Sequence, residues 1–149
     1  MVNNMKRDVK DLESQLRLDE GEVLYAYPDK LGYLTIGVGI LIDKRKGGGL
    51  RKEESDFILK NRTSLIIEEV KRRLPWVSNL HFIRAAVLYN MVFQLGVDGL
   101  LGFKDTLKLI EAGNYEAASK EMLNSLWAKS QTPERAKRLS EQMRTCQWQ

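Results

Sequence analysis

The chain has 149 residues, 43% of them hydrophobic and 30% charged, with a net charge of +4 and a pI near 9.2. That length can bury a sizeable core without disulfides or a structural metal. No run reaches the ~18 consecutive apolar residues of a membrane span, so a soluble globular protein with no stable membrane insertion is expected.

The single cysteine, Cys146, excludes an internal disulfide, and with His81 as the other soft side chain no zinc site is expected. The positive excess favours weakly anionic partners, cell-envelope polymers or nucleic acid, without choosing between them. Its most basic segment, Arg135, Lys137, Arg138 and Arg144, reads as a solvated helix face. The start, MVNNMKRDVKDLESQLRLDEG, has a basic pair but neither an apolar core region nor a small-residue cleavage site. No secretory signal is read there, and synthesis in a reducing cytoplasm is expected.

From Val9 the apolar residues Leu12 and Leu16 recur at helical spacing, and Gly21 is placed as the left-handed cap. Glu20 therefore falls in the last turn. There the negative end of the helix macrodipole and the neighbouring Asp19 both disfavour ionisation, a setting suited to a proton donor if the site is also partly desolvated.

Leu24 to Ile42 is rich in strand formers, interrupted by turn signals at Pro28-Asp29 and Gly32, and predicts a small antiparallel sheet. Gly37 and Gly39 remove side chains at alternate positions, as at a bend or a close approach by ligand or backbone. DKRKGGG, from Asp43 to Gly49, reads as a flexible polar turn.

A helix of about Leu50 to Arg73 follows, stopped by Pro75, and is long enough to be a spine between two lobes. Phe82 to Phe93 is apolar around most of its circumference, as in a helix at the centre of a bundle, with Gly96 as a stop. Shorter helices are predicted over Lys104 to Ala112, ended by Gly113, and over Tyr115 to about Trp127. A last one is opened by Thr132 as N-cap with Pro133 at its first position.

Glu20, Asp29 and Thr35 carry the chemistry of interest. Read singly, a carboxylate at a helix end and an Asp in a Pro-Asp turn are more often structural than catalytic. Helix end, turn and strand can nevertheless converge, with Asp29 and the Thr35 hydroxyl holding a water. Glycoside cleavage needs one protonated and one ionised carboxyl flanking the bond.

DEGEVLYAYPDKLGYLTIGVG (Asp19 to Gly39) resembles the catalytic segment of the phage-type lysozymes, an E-G followed by Y-x-D-x-x-G-x-x-T-I-G-x-G. RAAVLYNMVFQLGVDGLLGF (Arg84 to Phe103) and WAKSQTPERAKR (Trp127 to Arg138) resemble the C-terminal lobe of the T-even phage lysozymes. The resemblance implies an α+β, mainly α, two-lobed fold in a single domain over 1–149. Its N-terminal lobe would cover about 13–60, a connecting helix about 50–73, and a C-terminal helical lobe about 75–149 packing with the N-terminal helix.

It further implies that Glu20 is the general acid, and that Asp29 with Thr35 positions water and stabilises positive charge on the sugar. Leu41, Phe93, Gln94 and Thr106 would contact substrate, and Arg135 would give electrostatic support to the acid. Read without the resemblance, a Phe at position 93 on an apolar helix is more often core than sugar platform, Gln94 is hard to explain as packing, and Arg135 is as readily a solvated helical arginine. The family is regarded as inverting, which requires carboxyls roughly 6.5 to 9.5 Å apart.

The expected function is that of an endolysin. It would hydrolyse the β-1,4 bond between N-acetylmuramic acid and N-acetylglucosamine in peptidoglycan glycan strands, as a monomer, with no metal or cofactor. It would be made in the host cytoplasm and reach the periplasmic wall through a holin. The family also includes lysis modules of phage tails, but nothing in the sequence points to attachment to a larger protein.

Two departures stand out: Ile40 follows Gly39 where the family often has histidine, and DKRKGGG replaces a longer segment. His81 reads as a helix-start residue. Two other classes compete. A non-catalytic glycan- or nucleic-acid-binding module is disfavoured by the intact Glu20, Asp29 and Thr35 and by the lack of an alternating aromatic and arginine helix. Membrane disruption by the last helix is disfavoured by Glu134, Glu141 and a thin apolar face.

Overall fold

The computed structural model describes residues 12–42 and 49–149. The predicted helix start at Val9 and nearly all of the DKRKGGG turn lie outside the described residues. The chain divides into two units, Met1–Asp56 and Phe57–Gln149.

In the first unit, helix α1 is described over 12–20 and ends as predicted. The Gly21 N–H donates to the Arg17 carbonyl at 3.0 Å, with Gly21 at φ +72. Three antiparallel strands follow in the order β1-β2-β3: β1 Val23–Pro28, β2 Leu34–Gly37 and β3 Ile40–Leu41. Tyr27 pairs with Thr35 and Pro28 with Leu34, but Val23 pairs with Gly37 across an irregularity that bends β1. Pro28, which has no N–H to donate, closes β1. Thr35 pairs in turn with Leu41, so Tyr27, Thr35 and Leu41 project from one face of the sheet.

Helix α2, Lys52–Arg73, opens with Glu54 reaching back to accept the Arg51 N–H at 2.8 Å. Its surface carries pairs one turn apart, Lys52 with Asp56 and Glu69 with Arg72 and Arg73. Val70 is its one fully buried residue, with Ile66, Ile67 and Leu74 packed partly against the core.

The core of the second unit is built from Val70, Val77, Leu88, Met91, Leu100, Ile110, Met122 and Met143. Each such side chain contributes on the order of 1.5–3 kcal/mol by leaving water. A short 3-10 helix, Pro75–Asn79, follows α2. Helix α3, Phe82–Leu101, buries Val87, Leu88, Tyr89, Met91 and Val92, the central helix that its sequence predicts. His81 caps it, Nδ1 accepting the Ile83 N–H at 3.3 Å. At Gly96 (φ 73, ψ 168) regular helix is interrupted, and a further helical turn resumes beyond it.

Helix α4 spans Lys104–Glu111, α5 Tyr115–Leu123 and α6 Pro133–Thr145, with α5 packed between α4 and α6 and α3 packed on α6. Helix α5 stops short of the predicted Trp127. Ser125 Oγ donates to the Met122 carbonyl at 2.8 Å and accepts the Ala128 N–H at 3.2 Å, substituting for helical partners. A π-helical turn, Trp127–Gln131, then leads to α6. Pro133 opens α6 as expected, but Thr132, at the N-cap position, makes no side-chain cap.

Candidate active site

The first unit holds Glu20, Asp29, Thr35 and Leu41. Glu20 ends α1 and its carboxylate lies against the β2–β3 turn at Gly39. A Cβ on that glycine would stand 3.0 Å from Glu20 Oε2. At Gly39 the neighbour is thus a side chain of the protein, not the ligand or backbone expected to approach the paired glycines. Glu20 is exposed, so the partial desolvation on which its setting as proton donor was conditional is not seen here.

Asp29 and Thr35 meet at the backbone of one residue. Asp29 Oδ1 accepts the N–H groups of Leu31 at 2.9 Å and Tyr33 at 2.8 Å. Thr35, 4% exposed, donates its hydroxyl proton to the Tyr33 carbonyl at 3.2 Å. Among the described residues nothing donates to Asp29 Oδ2, and Thr35 Oγ1 keeps its acceptor capacity. Leu41 lies opposite Thr35 and is half-buried. Ile40, where the family often has histidine, places Cδ1 3.8 Å from the position a Gly37 Cβ would take.

The second unit holds Phe93, Gln94, Thr106 and Arg135. Gln94 is a polar junction: Nε2 donates to Thr132 Oγ1 at 3.3 Å, while Oε1 accepts from Trp127 Nε1 at 3.0 Å and from Arg135 Nη1 at 3.3 Å. Thr132 Oγ1 is thus engaged with α3 and makes no cap to α6. Arg135 also donates Nε to Asn90 Oδ1 at 2.9 Å, so its guanidinium is fixed from α3.

Phe93 is 49% exposed rather than core, and borders a pocket of about 340 Å³ with Leu59, Tyr89 and Trp148. Thr106 stands apart from these. It is 3% exposed and lines a separate pocket of about 470 Å³ with Lys104, Asp105, Glu121 and Ser125. Among the described residues no group of three or more His, Cys, Asp or Glu side chains is arranged to hold a metal.

Asn90, Trp127 and the Tyr33 backbone were not anticipated. Asn90 carried a readable signal, an amide one helical turn before Gln94 on a largely apolar helix, which places both on the same face. Trp127 carried none, because its indole N–H meets Gln94 only through tertiary packing.

A family model described as phage lysozyme matches residues 18–143, an interval that includes every candidate residue above. A probable T4-type lysozyme 1 of Dictyostelium discoideum is 34% identical over 158 aligned positions, covering 88% of this chain and 92% of that protein. The pre-baseplate central spike protein Gp5 of Enterobacteria phage T4 is 30% identical over 87% of this chain but 27% of its own length. An endolysin of Salmonella phage P22 is 28% identical over 78% of this chain and 80% of its own. With a helix-end glutamate against a glycine turn, a three-stranded sheet and a helical second unit, the chain belongs to the phage lysozyme family and is a glycoside hydrolase of the lysozyme type.

Proposed function

We propose that the protein hydrolyses the β-1,4 bond between N-acetylmuramic acid and N-acetylglucosamine in peptidoglycan, with Glu20 as general acid and Asp29 with Thr35 ordering the attacking water. The observation that carries this reading is the common anchoring of Asp29 and Thr35 on Tyr33. Because the Thr35 proton is committed to a carbonyl, a water would give one hydrogen to Thr35 Oγ1 and the other to Asp29 Oδ2. Its lone pair would then be free to attack the anomeric carbon. Glu20 protonates the departing oxygen, and Asp29, ionised, stabilises the oxocarbenium-like transition state and takes up through Oδ2 the proton that the water loses as its oxygen bonds to the anomeric carbon.

The proton comes from Glu20 and the nucleophile from water, so the step as proposed uses no metal or organic cofactor. Inversion of the anomeric centre is proposed. Leu41 and the exposed Phe93 offer apolar surface to sugar faces, with Gln94 and Thr106 as polar contacts and Arg135 as electrostatic support.

The proposed setting is that of an endolysin, made in the host cytoplasm as a monomer, reaching the wall through a holin and lysing the cell. A second reading, a lysozyme domain of a phage tail, draws support from the 30% identity to the spike protein over 87% of this chain. The enzymatic reading is tested by turbidity loss of outer-membrane-permeabilised bacteria with mass spectrometry of the digested murein. Muramic acid at the new reducing ends, and loss of clearing in Glu20→Gln, are expected. Glucosamine at those ends, or a Glu20→Gln variant that still clears, would overturn it.

A further inference from the structure

Gly37, which ends β2, and Gly39, in the β2–β3 turn, flank Val38 with nearly the same φ, +65 and +66, yet they face different neighbours. A Cβ on Gly37 would meet Ile40 Cδ1 at 3.8 Å, an ordinary contact. A Cβ on Gly39 would meet Glu20 Oε2 at 3.0 Å, Cδ at 3.4 Å and Cγ at 3.6 Å. Positive φ by itself accounts for glycine at both positions. It does not account for the carboxylate packed against only one of them.

We propose that Gly39 is a positioning residue for the hydrolysis: the space left by its missing side chain is where the Glu20 carboxyl holds its orientation for proton delivery. The inference rests on Glu20 being the general acid. The group that must give way to a Cβ is the tip of an exposed, flexible side chain, so the steric contact itself costs the fold little. Proton transfer is far less tolerant. It needs heavy atoms within about 2.6–3.2 Å, and a displacement on the order of 1 Å can slow a reaction about 10²-fold. Stability and rate should therefore separate at this position.

Gly37→Ala is the matched control, because it adds the same side chain at the same φ without meeting Glu20. In the full chain, both alanine variants are expected to lower Tm by similar amounts. Gly39→Ala is expected to lower kcat on soluble glycan fragments at least ~10-fold more than Gly37→Ala, with KM within about twofold. Glu20→Asp withdraws the carboxyl by one methylene from the added Cβ. The double variant Glu20→Asp with Gly39→Ala should therefore exceed the activity expected from multiplying the two single effects.

If the alanine variants fold poorly, Gly39→Asn and Gly37→Asn repeat the comparison with a residue that tolerates positive φ. Equal kcat losses at the two positions, or strictly multiplicative effects of Glu20→Asp and Gly39→Ala, would overturn the proposal. An active Glu20→Gln variant would instead overturn the assignment of the acid on which it rests.

Discussion

Asp29 and Tyr33 close one turn from both ends: Asp29 Oδ1 accepts the Tyr33 N–H at 2.8 Å, and the Asp29 N–H donates to the Tyr33 carbonyl at 2.8 Å. The carboxylate thus has a structural task on Oδ1 and leaves Oδ2 for the proposed reaction. The two tasks are separable by substitution. Asn keeps an oxygen acceptor for the Leu31 and Tyr33 N–H groups, whereas Ala does not.

Asp29→Asn is expected to cut kcat by at least ~10²-fold, through loss of the charge that orients water and stabilises the sugar cation, while changing stability by less than about 0.5 kcal/mol. Asp29→Ala should lose the same activity and in addition about 1 kcal/mol or more, from two turn N–H groups without their acceptor. Urea unfolding beside initial rates checks both, and a fully active Asp29→Asn would remove Asp29 from the mechanism.

The Thr35 hydroxyl donates to a carbonyl that already receives the Asp29 N–H. Thr35→Val therefore orphans no group completely and is expected to cost at most about 1 kcal/mol, yet to lower kcat by roughly 10-fold or more by removing the acceptor for the water. Thr35→Ser should keep most activity. Equal rates in the Val and Ser variants would show that the hydroxyl has no part in the step.

Gln94 takes the indole N–H of Trp127, which is 3% exposed, and also joins Thr132 and Arg135. Gln94→Leu leaves that N–H buried without a partner and should destabilise the second unit by about 1–3 kcal/mol. The expected signature is a lower urea midpoint at unchanged m-value. An unchanged midpoint would mean that these hydrogen bonds add nothing net to stability.

The Arg144 guanidinium beside Glu141 holds that carboxyl below its ordinary value of 4.5, chiefly through their hydrogen bonds. A depressed folded-state pKa contributes stability that is fully present above the unfolded value and is lost as pH falls through the folded one. Glu141→Gln should therefore be less stable than the parent at pH 7, and the difference should vanish below the carboxylate range. Both side chains are solvent-exposed, so the gap should also shrink in high salt. A gap that persists at pH 2 would assign it to packing instead.

Much of the fold was readable because it is governed by chemistry within a few residues. Gly21 ends α1, Pro28-Asp29 turns β1 into β2, His81 caps α3 and Pro133 opens α6. Where a side chain had two local options, the sequence named the wrong one: Ser125 engages the backbone and ends α5 before Trp127. Thr132 has the residue type of an N-cap, but its hydroxyl oxygen accepts from Gln94 Nε2 instead.

By itself the sequence determined the helices, the sheet and the spacing of Glu20, Asp29 and Thr35, because capping, turn formation and hydrophobic period are local properties of the chain. Only the tertiary structure decided which groups meet. It fills the space beside Gly39 with the Glu20 carboxylate rather than leaving it open. It exposes Phe93, and joins Gln94 to Trp127 and Arg135 across 33 and 41 positions of sequence. Contacts between residues that far apart depend on how the elements pack, and no local propensity or periodicity encodes them.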